Sequence, residues 1–369
     1  MVDNYGDIGV CWRLARELAA RFGLRVRIWV DDWTALSRLC PQARHDGAYL
    51  DGVELRRWTQ AFAPAEVGEV VIEAFACDLP EAQIEAMAAR ANAPIWINLE
   101  YLSAEDWVRG CHGLASPQPG RALCKYFFFP GFGPGTGGLI REHGLFERKA
   151  QALRVPRAEW LRGRGIRDPG AAARWVSLFA YGHRALGELL QCWSQGPQPT
   201  LLLVPEGRIL AEVGAFFGAS LAAGSQLGRG ALQLAVLPFS VQDAYDELLW
   251  RCDLNLVRGE DSFVRAQWAA RPVVWQIYPQ DDGAHHKKLD AFLARYTQGL
   301  DAGSATALKN FCHAWNDEAH GGLAAAWQQF APVLPALTLH AQAWCERLAA
   351  GDDLVHNLDR FCASKRISG

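Results

Sequence analysis

Short apolar runs, each closed by a polar or glycine-bearing turn, recur along the chain and alternate with stretches of helical spacing. The clearest unit is residues 254–277, LNLVRGEDSFVRAQWAARPVVWQI. Its pattern predicts a buried parallel strand over 254–257, a polar turn over 258–262, a helix over 263–270 and a second strand over 273–277. Further strands are predicted at 26–30, 69–74, 94–99 and 125–130, with a helix over 80–91. The pattern restarts with strands at 175–179, 200–204 and 232–237 and a helix over 184–193. Near the start, residues 3–9 have turn chemistry, and Val10, Leu14, Leu18 and Phe22 follow at helical spacing. Alternation of this kind predicts an α/β fold of parallel, doubly wound sheets. Its restart predicts two Rossmann-like domains facing across a cleft. The expected boundaries are 1–155, 156–345 and a C-terminal helix in 346–369 that packs back on the first domain, with the Arg-rich segment 150–170 as the linker. A loop like 3–9 ordinarily follows a strand, yet only Met1 and Val2 precede it. The expectation is that the first strand is truncated or that the sheet is shorter than its type usually is.

Composition narrows the partners. The chain has 369 residues, half of them hydrophobic, enough for two ordinary cores. A formal charge of −3 gives no basic stripe of the kind a general nucleic-acid binder carries. The ten cysteines are widely spaced and form no CxxC, which points to reduced thiols in a cytoplasmic protein. No apolar stretch is long enough to span a bilayer, and no signal-like start is present. The 15 tryptophans are scattered and read as core or rim.

Candidate chemistry sits at the carboxyl ends of the predicted strands, where ligands of such sheets bind. The turn 258–262 leads into a helix, and the N–H groups of a first helical turn suit an anion such as a phosphorylated ligand. The simpler reading of that stretch alone is that Asp261 or Ser262 caps the helix and that Glu260 and Asp261 answer its dipole. Asp3 and Asp7 allow the same two readings, turn and cap duty or chemistry. Glu100 and Tyr101 end a strand. The glycine-rich loop 131–139 is expected to be flexible and to move when a ligand binds. His285 and His286, near Asp281 and Asp282, lack the spacing of a metal motif and read as a solvated loop. Charges over 141–157 read as an exposed helix that could also touch an acidic partner.

Several separate motifs then coincide. VDNYGDIGVCWRLARELA, FAYGH and LPFSVQDAYDELLWRCDLNLVRGEDSFVRAQWAARPVVWQIYPQDDGAHHKKLDAFL together closely resemble the protein-arginine rhamnosyltransferase family that modifies bacterial translation elongation factor P. The resemblance runs from Val2 to about residue 300 and is looser in the helical tail. It implies a GT-B enzyme that needs no cofactor and no metal. Such an enzyme moves L-rhamnose from dTDP-β-L-rhamnose to an arginine side chain with inversion, and its protein partner is elongation factor P. The family's catalytic aspartate corresponds to Asp7 and its partner aspartate to Asp3. Its donor site corresponds to Asn4, Tyr181, Phe239, Gln242, Glu260, Asp261 and Ser262.

Those residue types suit the chemistry implied. A guanidinium stays protonated below pH about 12 and is a poor nucleophile, so it must be held and relieved of a proton as it attacks. Two carboxylates can grip it through charge-assisted bonds, Asp7 taking the proton in concert with C–N formation while Asp3 steers. On the donor side Phe239 can stack on thymine and Gln242 read its polar edge, although Phe239 also fits a core position after a strand. Tyr181, Ser262 and the amides of 260–262 suit a diphosphate, with at least one of the two carboxylates turned to sugar hydroxyls. Two other classes share these features. One is a GT-B transferase or epimerase with a small-molecule or lipid acceptor, the other a non-catalytic binder of the elongation factor.

Overall fold

The computed structural model describes residues 4–59, 66–279, 283–317 and 322–367. The chain divides into two compact units, Met1–His143 with Leu348–Gly369 and Gly144–Arg347. Each is a mixed α/β assembly built on parallel strand pairs.

In the first unit the strands are β1 (Val26–Val30), β2 (Tyr49–Leu50), β3 (Val53–Arg57), β4 (Val70–Ala74), β5 (Ile95–Leu99), β6 (Ala115–Pro117) and β7 (Cys124–Phe128). Where a single doubly wound sheet was expected, they form two sheets, ordered β1-β3-β2 and β4-β5-β7-β6. The pairs β1/β3, β4/β5 and β5/β7 are parallel, and β2 and β6 close the edges antiparallel. β3 falls outside the sequence expectation because VELRR alternates apolar with charged residues. Val53 and Leu55 are nonetheless fully buried.

The first helix, Asn4–Phe22, begins inside the stretch read as a turn. Ile8, Trp12 and Ala15 pack with Val30, Leu36, Val53 and Leu55, and this anchoring outweighs the poor helix propensity of Gly6 and Gly9. Val10, Leu14 and Leu18 are buried as well. The helix also buries a charge: Arg13 donates to Glu142 Oε1 at 2.5 Å with both side chains fully inaccessible. Glu17 Oε2 accepts from the His143 amide at 2.9 Å.

The tail groups with this unit. Leu354 N donates to Leu139 O at 2.9 Å, Arg21 pairs with Asp353 at 2.7 Å, and Phe361 meets Tyr126 and Phe128 edge-on. This docking corrects the reading of loop 131–139 as flexible. Gly137 N donates to Phe129 O at 2.7 Å, and a Cβ on Gly137 would collide with the Phe128 ring. Gly138, at φ +78°, lies so close to the tail that a Cβ would sit 2.7 Å from Asp352 O. The glycines serve close packing of the loop against strand and tail.

The second unit carries β8 (Arg174–Leu178), β9 (Thr200–Pro205), β10 (Gln226–Arg229), β11 (Leu232–Leu237), β12 (Leu254–Arg258) and β13 (Val273–Gln276). They form one sheet, β10-β11-β9-β8-β12-β13, parallel apart from the edge strand β10. β9, β12 and β13 are buried throughout, Asn255, Arg258 and Gln276 included, as strands covered on both faces are. The structure corrects the segment read as a linker: it belongs to this unit, and the division falls at residues 143 and 144 rather than 155. Trp160 and Leu161 join a core with Trp175, Leu201 and Leu248. Arginines that looked like solvated charge lie over indole rings, Arg164 at 3.9 Å from Trp160 and Arg157 at 4.8 Å from Trp175. Arg251 is nearly inaccessible and donates to the carbonyls of Ala152 at 2.5 Å and Val155 at 2.8 Å.

Beyond β13 the unit is helical, with helices Ala284–Tyr296, Ala302–Asn316, Leu323–Phe330 and Leu334–Ala349. The first of these takes in His285, which is buried, and His286, so this pair is not the solvated loop expected from sequence. Asp281 and Asp282 lie outside the described residues. No helix of the described residues is long and apolar enough to cross a membrane.

Candidate active site

In the second unit the chain order reverses direction between β8 and β12. β9 and β11 extend the sheet on one side and β13 on the other. At such a switch point the loops leaving adjacent strands diverge and open a crevice at their carboxyl ends. The loop after β8 carries Tyr181, and the turn after β12 carries Glu260, Asp261 and Ser262. The loop after β11 carries Phe239 and leads into the helix Gln242–Arg251, whose first residue is Gln242. All six donor residues expected in this unit therefore stand at one edge of one sheet.

The β12 turn is tight because Gly259 takes φ +62°, which lets the helix Asp261–Ala269 begin directly behind the strand. The expected capping role is not what this turn shows. Glu260 occupies the N-cap without a side-chain capping bond, and Ser262 Oγ donates backward to the Arg258 carbonyl. Gln242 Nε2 donates to Asp261 Oδ2 at 3.3 Å, joining the starts of the two helices. Phe239 is half-buried and lies outside the buried core, so the core reading of that residue does not hold. Burial, with the Asp261 and Asp246 charges adding to it, raises the Tyr245 phenol above its ordinary range and keeps it neutral.

Three further residues shape this edge. Gln276 accepts from Tyr181 N at 2.7 Å and donates to Gly182 O at 2.7 Å, stitching the Tyr181 loop to β13. Glu206 Oε2 accepts from Phe239 N at 3.0 Å. The Arg258 guanidinium lies over the rings of Phe179 and Tyr181, 4.5 and 4.4 Å from their centroids. Each sits at or just beyond the end of a strand, and that position is the one signal the sequence offers for them.

In the first unit Asp7 lies in the first turn of the helix Asn4–Phe22, at the end where the macrodipole favours negative charge. It is only 4% exposed. The Tyr101 hydroxyl donates to Asp7 Oδ2 at 3.3 Å, and the Tyr101 ring stacks on Phe75 with centroids 4.7 Å apart. Asn98 Nδ2 donates to Glu100 Oε1 at 2.7 Å. Tyr101, just beyond β5, thus links Asp7 to Phe75, just beyond β4. Asn4 opens the helix, and Asp3 lies outside the described residues.

Among the described residues no three His, Cys, Asp or Glu side chains are grouped so as to hold a metal ion. An open cavity of about 670 Å³ is lined by Arg162, Ile166, Arg167 and Gln226 and contains none of the candidate residues.

Comparison with known proteins places the chain in a family. Residues 1–363 match the family described as Elongation-Factor P (EF-P) rhamnosyltransferase EarP. A protein-arginine rhamnosyltransferase of Pseudomonas aeruginosa is 51% identical over 368 residues, covering 98% of this chain and 97% of the relative. Its counterpart in Pseudomonas putida is 50% identical over 366 residues, covering 98% and 96%. One from Neisseria meningitidis is 37% identical over 351 residues, covering 93% and 88%. A solved structure described as "Structural basis for EarP-mediated arginine glycosylation of translation elongation factor EF-P" is similar with a TM-score of 0.69 and 36% identity, covering 98% of this chain and 96% of that one. The chain belongs to the EarP family of protein-arginine rhamnosyltransferases.

Proposed function

We propose that this enzyme transfers L-rhamnose from dTDP-β-L-rhamnose to an arginine of translation elongation factor P in the cytoplasm, with inversion and without a metal or other cofactor. In this reading the units form a GT-B enzyme. The first, residues 1–143 with the tail, takes the acceptor, and the second takes the donor. The observation that carries the reading is the β12 turn, where a helix starts without a side-chain cap at the switch point of a parallel sheet. Amides of a first helical turn are fixed dipoles that stabilise a diphosphate as it leaves. Ser262 and Tyr181 supply hydroxyls to the diphosphate, Phe239 a ring for thymine and Gln242 its polar contact. At least one of Glu260 and Asp261 faces sugar hydroxyls, and Asn4 adds to the donor site.

Asp7 acts as the base and Asp3 steers the guanidinium. One N–H bond breaks as the C–N bond forms, the proton passing to Asp7, and the electron pair of the anomeric C–O bond departs with dTDP. Attack opposite the leaving group on an oxocarbenium-like centre gives inversion. Concerted transfer avoids the full cost of deprotonating a guanidinium with a carboxylate of ordinary basicity.

The test is mass spectrometry of elongation factor P incubated with enzyme and dTDP-L-rhamnose. One deoxyhexose on an arginine is expected, and unmodified protein rejects the reading. Asp7→Asn is expected to lose about 10²–10⁴-fold in turnover while still binding dTDP by calorimetry. Unchanged turnover removes Asp7 from the mechanism.

A further inference from the structure

We infer that Tyr101 is a positioning residue for Asp7 and that Phe75, set in a left-handed turn after β4, holds Tyr101 in place. The inference rests on the reading of Asp7 as the base. Its ground is a chain of contacts within the first unit. Phe75 takes φ +56°, Ala76 +52° and Asp78 +44°, three non-glycine residues in a region that side chains avoid. Such strain persists only where surrounding contacts over-determine the backbone. Here Phe75 N donates to Leu99 O at 2.9 Å, and the ring, 7% exposed, lies against Tyr101 at an interplanar angle of 28°. With its ring fixed from that side, Tyr101 directs its hydroxyl at Asp7 Oδ2.

Packing alone accounts for two stacked rings but has no use for the hydroxyl, and that difference separates the two roles. A donor to a buried carboxylate fixes the plane of its oxygens and favours its charged form before proton transfer. The turn contributes only by keeping the Phe75 ring where Tyr101 needs it. Neither residue has to touch the substrate.

Tyr101→Phe removes the hydroxyl and keeps the stack. The expected result is a drop in kcat of about tenfold or more, with the acceptor KM and dTDP affinity within about twofold of wild type and the acidic limb of the kcat–pH profile moved to higher pH. Phe75→Leu, which keeps an apolar side chain and loses the stack, is expected to lower kcat in the same direction, and Phe75→Tyr to restore it. Should Tyr101→Phe be unstable, as judged by its melting temperature, the Phe75 pair carries the test alone. A kcat and pH profile of Tyr101→Phe that superimpose on wild type, with Asp7→Asn inactive, overturn the inference and leave the reading of Asp7 standing. An active Asp7→Asn overturns that reading itself.

Discussion

Replacing Asp246 with asparagine removes a charge and little else. Arg265 Nε and Nη2 donate to the two Asp246 oxygens at 3.0 and 2.7 Å, and each side chain is 1% exposed. Taking away one member of such a pair costs about 3–5 kcal/mol, because the other charge stays in a low-dielectric site without its facing carboxylate. Asparagine keeps one acceptor, so the lower end, about 3 kcal/mol, is the expected figure. For a unit of about two hundred residues, 1 kcal/mol shifts the melting temperature by about 2–4 °C, which gives a fall of about 6–12 °C. The pair also joins the helices Gln242–Arg251 and Asp261–Ala269, whose first turns hold Gln242 and Asp261. A raised KM for the proposed donor, dTDP-rhamnose, should therefore accompany the thermal shift. Melting is followed by near-UV circular dichroism on the full chain. The double replacement Asp246→Leu with Arg265→Met, which removes both charges, should recover most of the loss. A single variant that melts within about 1 °C of wild type, or a double variant no better than the single, refutes the reasoning.

Two further outcomes follow from the same kind of accounting. Lys149 donates to the carbonyls of Trp268 and Ala269 at 3.0 and 2.7 Å, and burial lowers its pKa to about 8. Between that value and the unfolded value of about 10.4, the unfolded chain holds more protons, so stability should rise with pH through this window. Wild type should gain about 2 kcal/mol on Lys149→Met from pH 8 to pH 10.5, allowing for partial exposure of the amine; parallel melting curves across that range contradict it. Gly138→Ala must accommodate both φ +78° and a Cβ 2.7 Å from Asp352 O. A loss of about 1–3 kcal/mol is expected, with faster hydrogen exchange in the helix Leu354–Ile367, and unchanged exchange there would show that the loop does not hold the tail.

What was legible in the sequence is what short-range periodicity encodes. The five parallel strands of the second unit read correctly because covered faces make them largely apolar, as in TLLLVP and in LNLVR, while the antiparallel edge strand β10, QLGR, did not. The shared sheet edge of the candidate donor residues was legible because a parallel sheet fixes where its loops emerge. β3 was not, because three of its five residues are charged, and the division of the first unit into two sheets was not, because strand pairing is a long-range property. The glycine-rich loop misled for a related reason. Gly137 and Gly138 permit freedom when isolated and close approach when Phe128 and Asp352 lie beside them.

Charged residues were the hardest to read, and the reason bears on the candidate active site. Arg13, Arg251 and Arg265 look solvated in a linear sequence. Each is buried by partners far away in the chain or on another element: Glu142, the carbonyls of Ala152 and Val155, and Asp246. Asp7 belongs with them. As a turn residue it would be a solvated carboxylate with a cap to fill. As a first-turn helical residue, 4% exposed and bonded by a tyrosine ninety-four positions away, it is held in one orientation by groups that no local window contains. In the role proposed for Asp7, a base that collects a proton as a guanidinium attacks gains from that fixation, because its geometry is settled before the acceptor arrives.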